Sequence, residues 1–337
     1  MRIAVIGAGA LGGTFAALLT RAGHDVTVTA RGQGLEAIRA DGIRLTGGFG
    51  DAHVRPAAVK RLAAAPELTL VCTKAQDAEA AIRANAEFLD GSPVIVVQNG
   101  LDGVATAERL LPHSDCFGAL SIIAANYNEP GSVRVTTAAE TYLGRGDGAV
   151  DAQARKWQAV LNEAAPTIAI DNFVGAQWTK LVVNMLNALP AITGLTVQEV
   201  VDHPALRRVM TASMREAVRV GMARGVRFGS LQGLDDRRLR FFSRLPLWAG
   251  QLLPLRMRRR MGNVPNQGST LQSIRRGQPT EIDYLNGVVV REAREAGVPA
   301  PVNSLLTALV HEREDTGVFL TPSEVLTRFA AADAVAR

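Results

Sequence analysis

Two regimes of hydrophobic patterning divide this chain. Up to about residue 170, short apolar runs rich in β-branched residues alternate with longer amphipathic stretches; beyond it the strand-like runs vanish and apolar positions recur at helical spacing. Residues 1–6 predict a buried strand, 14–22 a helix, and 24–30 a second strand. Residues 42–55 read as two short strands around Gly47-Gly48. Residues 68–72 predict a buried strand followed by a helix to 89, and 94–97 another strand followed by a helix to 111. Strands are expected at 116–127, 132–137, 140–143 and 167–170, with a helix at 151–164. The alternation predicts an α/β domain over residues 1–170, with a parallel, doubly wound sheet. An all-helical domain over 171–337 should follow. It opens with a helix at 172–189 and ends with helices to 296, at 303–313, and from 321.

The turn between the first strand and helix reads Gly7-Ala8-Gly9-Ala10-Leu11-Gly12-Gly13. Strand, glycine turn, helix and strand within about thirty residues is the setting in which GxGxxG means a Rossmann-type dinucleotide site. Gly7 permits the tight turn, Gly9 lets a pyrophosphate approach backbone, and Gly12 brings the helix close to the sheet. The helix N-terminus then faces the phosphates with unpaired N–H groups. An acidic residue closing the second strand would favour NAD. Here Arg31 stands there, and the first acid is Glu36. A guanidinium can hold a 2′-phosphate through two parallel bonds, so NADPH/NADP+ is expected. Ligands of such sheets sit beyond the carboxyl ends of the strands. Lys74 and Asn99, in Thr73-Lys74-Ala75 and Gln98-Asn99-Gly100, fall at two further strand ends.

Composition narrows the field. A chain of 337 residues with 47% hydrophobic and 20% charged residues has ample core for two domains. A net charge of +5 suits an anionic small molecule and is too scattered to indicate nucleic acid. Cys72 and Cys116 are far apart and match no metal spacing, so no metal is expected; free thiols point to a reducing, cytoplasmic setting. No apolar stretch has transmembrane length, so no membrane partner is expected. The basic-then-apolar N-terminus is not read as a signal peptide, because its glycines fall on the dinucleotide fingerprint.

In the helical half, Lys180 and Asn184 are four residues apart and share a helix face, with Leu181, Val182, Val183, Met185 and Leu186 around them. Burial lowers a lysine pKa toward the working range of a proton donor. The alternative is a lysine whose stem snorkels to solvent. Arg256 to Arg260 is read as a solvated helix face, with a lid over an anionic ligand second. Thr280 is placed to cap a helix with Glu281 and Asp283 in its first turn.

Taken together, Gly7–Gly12, Gln98-Asn99-Gly100, the Lys180/Asn184 helix and the run Pro279-Thr280-Glu281-Ile282-Asp283-Tyr284-Leu285-Asn286-Gly287 resemble the ketopantoate reductases (2-dehydropantoate 2-reductases), nearly end to end. The resemblance implies NADPH-dependent reduction of a small-molecule 2-oxo acid to a 2-hydroxy acid on the way to pantothenate and coenzyme A. Carried over, Lys180 is the general acid, and Glu281 binds the substrate hydroxyl, steadies Lys180 and counts among the cofactor contacts. Asn99 lies near nicotinamide and substrate, Asn184 and Ser269 bind the substrate's polar groups, and Arg31 and Lys74 contact the cofactor. A homodimer is expected by fold-level analogy.

Two departures keep the substrate open. Where the family usually has a second asparagine stands Ala188, with Asn187 one place early; on a continuous helix that offset turns a side chain by about 100°. The stretch from Asn184 to Ser269 is also longer than in compact members, the extra length falling within 230–265. A reductase of another 2-oxo or 3-oxo compound, and a non-catalytic NADP(H) sensor, are the alternatives.

Overall fold

The computed structural model describes residues 1–262 and 265–335, in two compact units, Met1–Phe173 and Val174–Arg337. The first unit runs β1 (Arg2–Ile6), α1 (Ala10–Arg21), β2 (Asp25–Thr29), α2 (Gly32–Asp41), β3 (Ile43–Gly47), β4 (Ala52–Val54), β5 (Ala57–Val59) and β6 (Leu68–Val71). It continues through α3 (Ala75–Leu89), β7 (Val94–Val97), α4 (Gly103–Leu110), β8 (Cys116–Ser121), β9 (Ala124–Glu129), β10 (Ser132–Thr137), β11 (Thr141–Gly144), α5 (Ala152–Asn162) and β12 (Thr167–Ala169). Eight strands form one sheet, in the order β12-β11-β8-β7-β6-β1-β2-β5; four form a second, β4-β3-β10-β9. From β5 to β8 all pairings in the large sheet are parallel. Next to the edge strand β12, β11 runs antiparallel to β8, so the sheet is mixed rather than wholly parallel.

Helix α1 explains the second sheet. Its residues from Gly12 to Leu19 are all buried, around the whole helix rather than along one stripe. It packs against β1 and β2 on the large sheet and against β3, β4, β9 and β10 of the small one. Burying Phe15, Leu18 and Leu19 contributes about 1.5–3 kcal/mol each. Gly13 serves this packing: a Cβ there would lie 2.7 Å from Val133 Cγ2. The small sheet also corrects the single strand expected at 116–127. The chain leaves the large sheet at Ser121, bends through Ile122 and Ile123, and enters the small sheet at Ala124, because one strand cannot pair on both sides of α1. Pattern alone passed over α2, which buries only Leu35 and Ile38, and β5, a three-residue edge strand.

The second unit is helical: α6 (Phe173–Asn184), α7 (Ala188–Thr193), α8 (Val197–Asp202), α9 (Pro204–Ala223), α10 (Asp236–Arg244), α11 (Leu247–Gly250), α12 (Leu252–Arg260), α13 (Ser269–Arg275), a 3-10 turn (Ile282–Tyr284), α14 (Asn286–Glu295), α15 (Pro301–Thr316) and α16 (Pro322–Val335). The long α9 is its centre, packed against α8, α10, α12, α14, α15 and α16. The helix expected over 172–189 breaks after Asn184. Pro190 is the cause: in a continuous helix its ring would clash with the Leu186 carbonyl four residues back and offer no N–H to it. Near the start of α7 that missing donor costs nothing, because the first-turn N–H groups have no helical partner anyway.

The stretch 230–265, unreadable by pattern, holds α10 to α12; Asn263 and Val264 within it lie outside the described residues. Arg256, Arg259 and Arg260 are exposed, while Arg258 pairs with Asp202 at 3.3 Å and ties α12 to α8. Among the described residues, no helix is long and apolar enough to cross a membrane.

Candidate active site

In the first unit, β2, β1, β6 and β7 are consecutive neighbours, with Ile6 level with Thr29 and Val71, and Val71 level with Val96. Their carboxyl ends therefore form one rim. Along it stand Arg31, the loop Gly7 to Gly12, Lys74 and Asn99, in that order.

The glycine loop is tied down by backbone. Gly7 N donates to Thr29 Oγ1 at 3.1 Å, and Ala8 N to the Thr29 carbonyl at 3.2 Å. Gly7 has φ +94°, which a side chain would strain. A Cβ on Gly12 would come 1.9 Å from the Gly7 carbonyl oxygen, so no other residue fits there. Gly9 is different. It is the N-cap of α1, makes no side-chain cap, and has nothing within 4 Å of where its Cβ would be. The N-terminus of a helix with open space above it favours an anion. Ala8 is buried, while Ala10 and Leu11, the first residues of α1, are partly exposed. Arg31 is exposed, at the N-cap of α2, and its guanidinium has no partner among the described residues. Lys74 is the N-cap residue of α3.

Gln98 escaped the sequence reading as a positioning group. Its Nε2 donates to the Thr73 carbonyl at 2.7 Å and to Thr73 Oγ1 at 3.2 Å, joining the loops that carry Lys74 and Asn99. The signal was present: a polar side chain immediately after an apolar strand.

In the second unit, Lys180 and Asn184 lie one turn apart on α6. Neighbouring Thr179 is fully buried, and its hydroxyl donates to the Gly229 carbonyl at 2.7 Å. A Cβ on Gly229 would lie 2.6 Å from Ala176 N, so that segment abuts α6 directly. Lys180 retains some exposed surface, yet protein surrounds its ammonium, and this burial pushes its pKa down to about 8. Asn184 is buried.

Ser269 is the exposed first residue of α13, which packs on α7. Because the helix breaks after Asn184, Asn187 is not turned about 100° away from the expected asparagine position by a continuous helix. Asn187 N donates to the Asn184 carbonyl at 3.0 Å, and a Cβ on Gly268 would lie 2.7 Å from Asn187 Oδ1. Asn187 thus adjoins the residue before Ser269, while Ala188 is fully buried. Glu281 is the N-cap residue of the 3-10 turn, not part of a longer helix's first turn. Thr280 Oγ1 accepts from Ile282 N at 3.3 Å.

A Rossmann-type sheet with this rim, followed by a helical unit holding a lysine of lowered pKa, is the build of a nicotinamide-dependent oxidoreductase. Comparison with known proteins narrows the class. Residues 3–148 match the family model described as ketopantoate reductase PanE/ApbA, and residues 172–314 match its C-terminal counterpart. A 2-dehydropantoate 2-reductase of Archaeoglobus fulgidus is 30% identical over 92% of this chain and 96% of its own. That of Halobacterium salinarum is 29% identical over 94% and 100%. A crystal structure of a PanE/ApbA family ketopantoate reductase from Ralstonia eutropha superposes with TM-score 0.80, at 31% identity over 94% of this chain and 99% of that one. A structure of D-mandelate dehydrogenase with NADH and anilino(oxo)acetate shares the fold, with TM-score 0.79 at 22% identity over 94% and 99%. The chain belongs to the ketopantoate reductase family, whose members are NAD(P)H-dependent reductases.

Proposed function

We propose that this chain reduces 2-dehydropantoate to pantoate with NADPH, the first unit binding the cofactor and the second supplying substrate contacts and the proton. The observation that carries the mechanism is Lys180, a buried ammonium with pKa near 8, one turn from Asn184. When bound, NADPH supplies the hydride that reduces the carbonyl carbon. Lys180 donates its proton to the carbonyl oxygen and offsets the negative charge developing there. A pKa near 8 leaves it largely protonated at neutral pH and far readier to release the proton than an ordinary lysine.

Glu281 accepts from the substrate hydroxyl and holds Lys180 electrostatically. Asn184, Ser269 and Asn99 bind the substrate's polar groups. Gly7 to Gly12 receive the pyrophosphate, with Lys74 beside it; the exposed Arg31 takes the 2′-phosphate, the basis for preferring NADPH over NADH.

The test is NADPH consumption with 2-dehydropantoate beside a panel of other 2-oxo acids, 2-oxo lactones and 3-oxo acids. Turnover of 2-dehydropantoate above the rest is the expected result. Turnover of another member instead would retain the chemistry and reassign the substrate. One observation favours that second reading: Ala188, at the family's second asparagine position, is fully buried, and Asn187 offers its amide from a different place.

A further inference from the structure

The segment carrying Glu281 is held on both sides by one helix. Just before it, Thr280 N donates to Glu314 Oε1 at 2.8 Å. Two residues after it, Asp283 Oδ1 lies 2.9 Å from His311 Nε2. The other ring nitrogen, Nδ1, lies 2.8 Å from Glu314 Oε2. His311 and Glu314 are three apart on α15, so they share a face of that helix. Helix α15 is itself anchored, since Glu216 accepts from Val302 N and Asn303 N at 2.9 Å each, at its N-terminus.

The proton inventory gives this cluster its meaning. A carboxylate only accepts, and a neutral imidazole has one N–H to donate. Bonds from both ring nitrogens to two carboxylates therefore require the imidazolium. Partial burial opposes that charge, but Asp283 on the 3-10 turn and Glu314 on the same helix outweigh it and raise the His311 pKa above its ordinary value. Those two carboxylates are the charged groups facing the ring among the described residues.

We propose that His311 is a positioning residue: its imidazolium ties Asp283 to Glu314 and closes a clamp that fixes the backbone on either side of Glu281. The proposal rests on the reading of Glu281 as a substrate-binding residue. An exposed ion pair alone holds little. Here one ring joins two carboxylates, and one of these also takes a backbone N–H next to the functional residue.

The experiment is steady-state kinetics across pH on the full chain, with NADPH and the fastest-reduced oxo acid of the panel. Wild type is compared with His311→Gln, Asp283→Asn, Glu281→Gln and the Glu281→Gln/His311→Gln double variant. His311→Gln and Asp283→Asn are expected to raise KM about tenfold with kcat within about twofold, the signature of lost uniform binding. In wild type, KM should rise as pH climbs through the His311 pKa, and His311→Gln should abolish that rise. By NMR, Asp283→Asn should lower the His311 pKa. In the Glu281→Gln background, His311→Gln should add nothing, because it acts through Glu281.

A wild-type KM for His311→Gln, beside an impaired Glu281→Gln, overturns the clamp alone. A further loss in the double variant also overturns it and marks His311 as merely structural. Wild-type turnover by Glu281→Gln removes the reading of Glu281, and the clamp with it.

Discussion

Lys180 is a residue whose burial works against the fold and for the chemistry. Its lowered pKa means that the unfolded chain binds more protons than the folded one between pH 8 and 10.5. Stability at this site therefore rises with pH across that window, and below it the cost of a buried ammonium is fully present. Lys180→Met is expected to raise the melting temperature at pH 7 and to lose that advantage as pH approaches 10.5; thermal scans across pH check this. The same substitution should lower kcat by about 10²- to 10⁴-fold, the span of general acid–base catalysis. In wild type, reduction should slow as pH rises through about 8, where the ammonium is lost. Arg31 makes the cofactor prediction. Arg31→Asp should weaken NADPH by about 10- to 100-fold, the loss of charge-assisted bonds, and leave NADH nearly unaffected. Equal losses for both cofactors would remove Arg31 from the 2′-phosphate.

The glycine turn and α1 act as an element, and two substitutions separate its duties. Gly12→Ala drives a Cβ into the Gly7 carbonyl, so the turn must open and the unit loses stability. Gly9→Ala meets open space and has an ordinary φ of −78°, so the protein should melt near the wild-type temperature. The added methyl would still stand in the space assigned to the pyrophosphate, so NADPH affinity should fall. Calorimetry with and without NADPH distinguishes the two variants. The α6–α7 break is the other element whose form matters: Pro190, in the first turn of α7, keeps α6 from continuing through it, and Asn187 lies beside Gly268.

At the scale of the molecule, each compact unit has its own partners to bury. The first surrounds α1 with two sheets; the second gathers its helices on α9. A ligand that binds only the native first unit stabilises it by mass action, about 2.7 kcal/mol at a hundredfold excess over Kd. NADPH should therefore raise hydrogen-exchange protection chiefly in β1, α1, β2 and β6. Protection confined to the second unit would contradict the cofactor assignment.

Much was legible in the sequence because it was local. The glycine spacing, the β-branched runs and the helical periods report interactions among residues close in the chain, and they specify a Rossmann-type half followed by a helical half. The strand ends at Arg31, Lys74 and Asn99 were readable for the same reason: parallel strands place those ends on one side. What pattern could not supply depends on surfaces distant in sequence. The split of 116–127 between two sheets follows from how α1 is covered on both sides. The break after Asn184 had a local signal in Pro190, but where it carries Asn187 depends on Gly268, some eighty residues away. The His311 clamp joins α15 to a segment about thirty residues earlier. A histidine shows its charge only through the carboxylates that tertiary packing sets against both of its nitrogens.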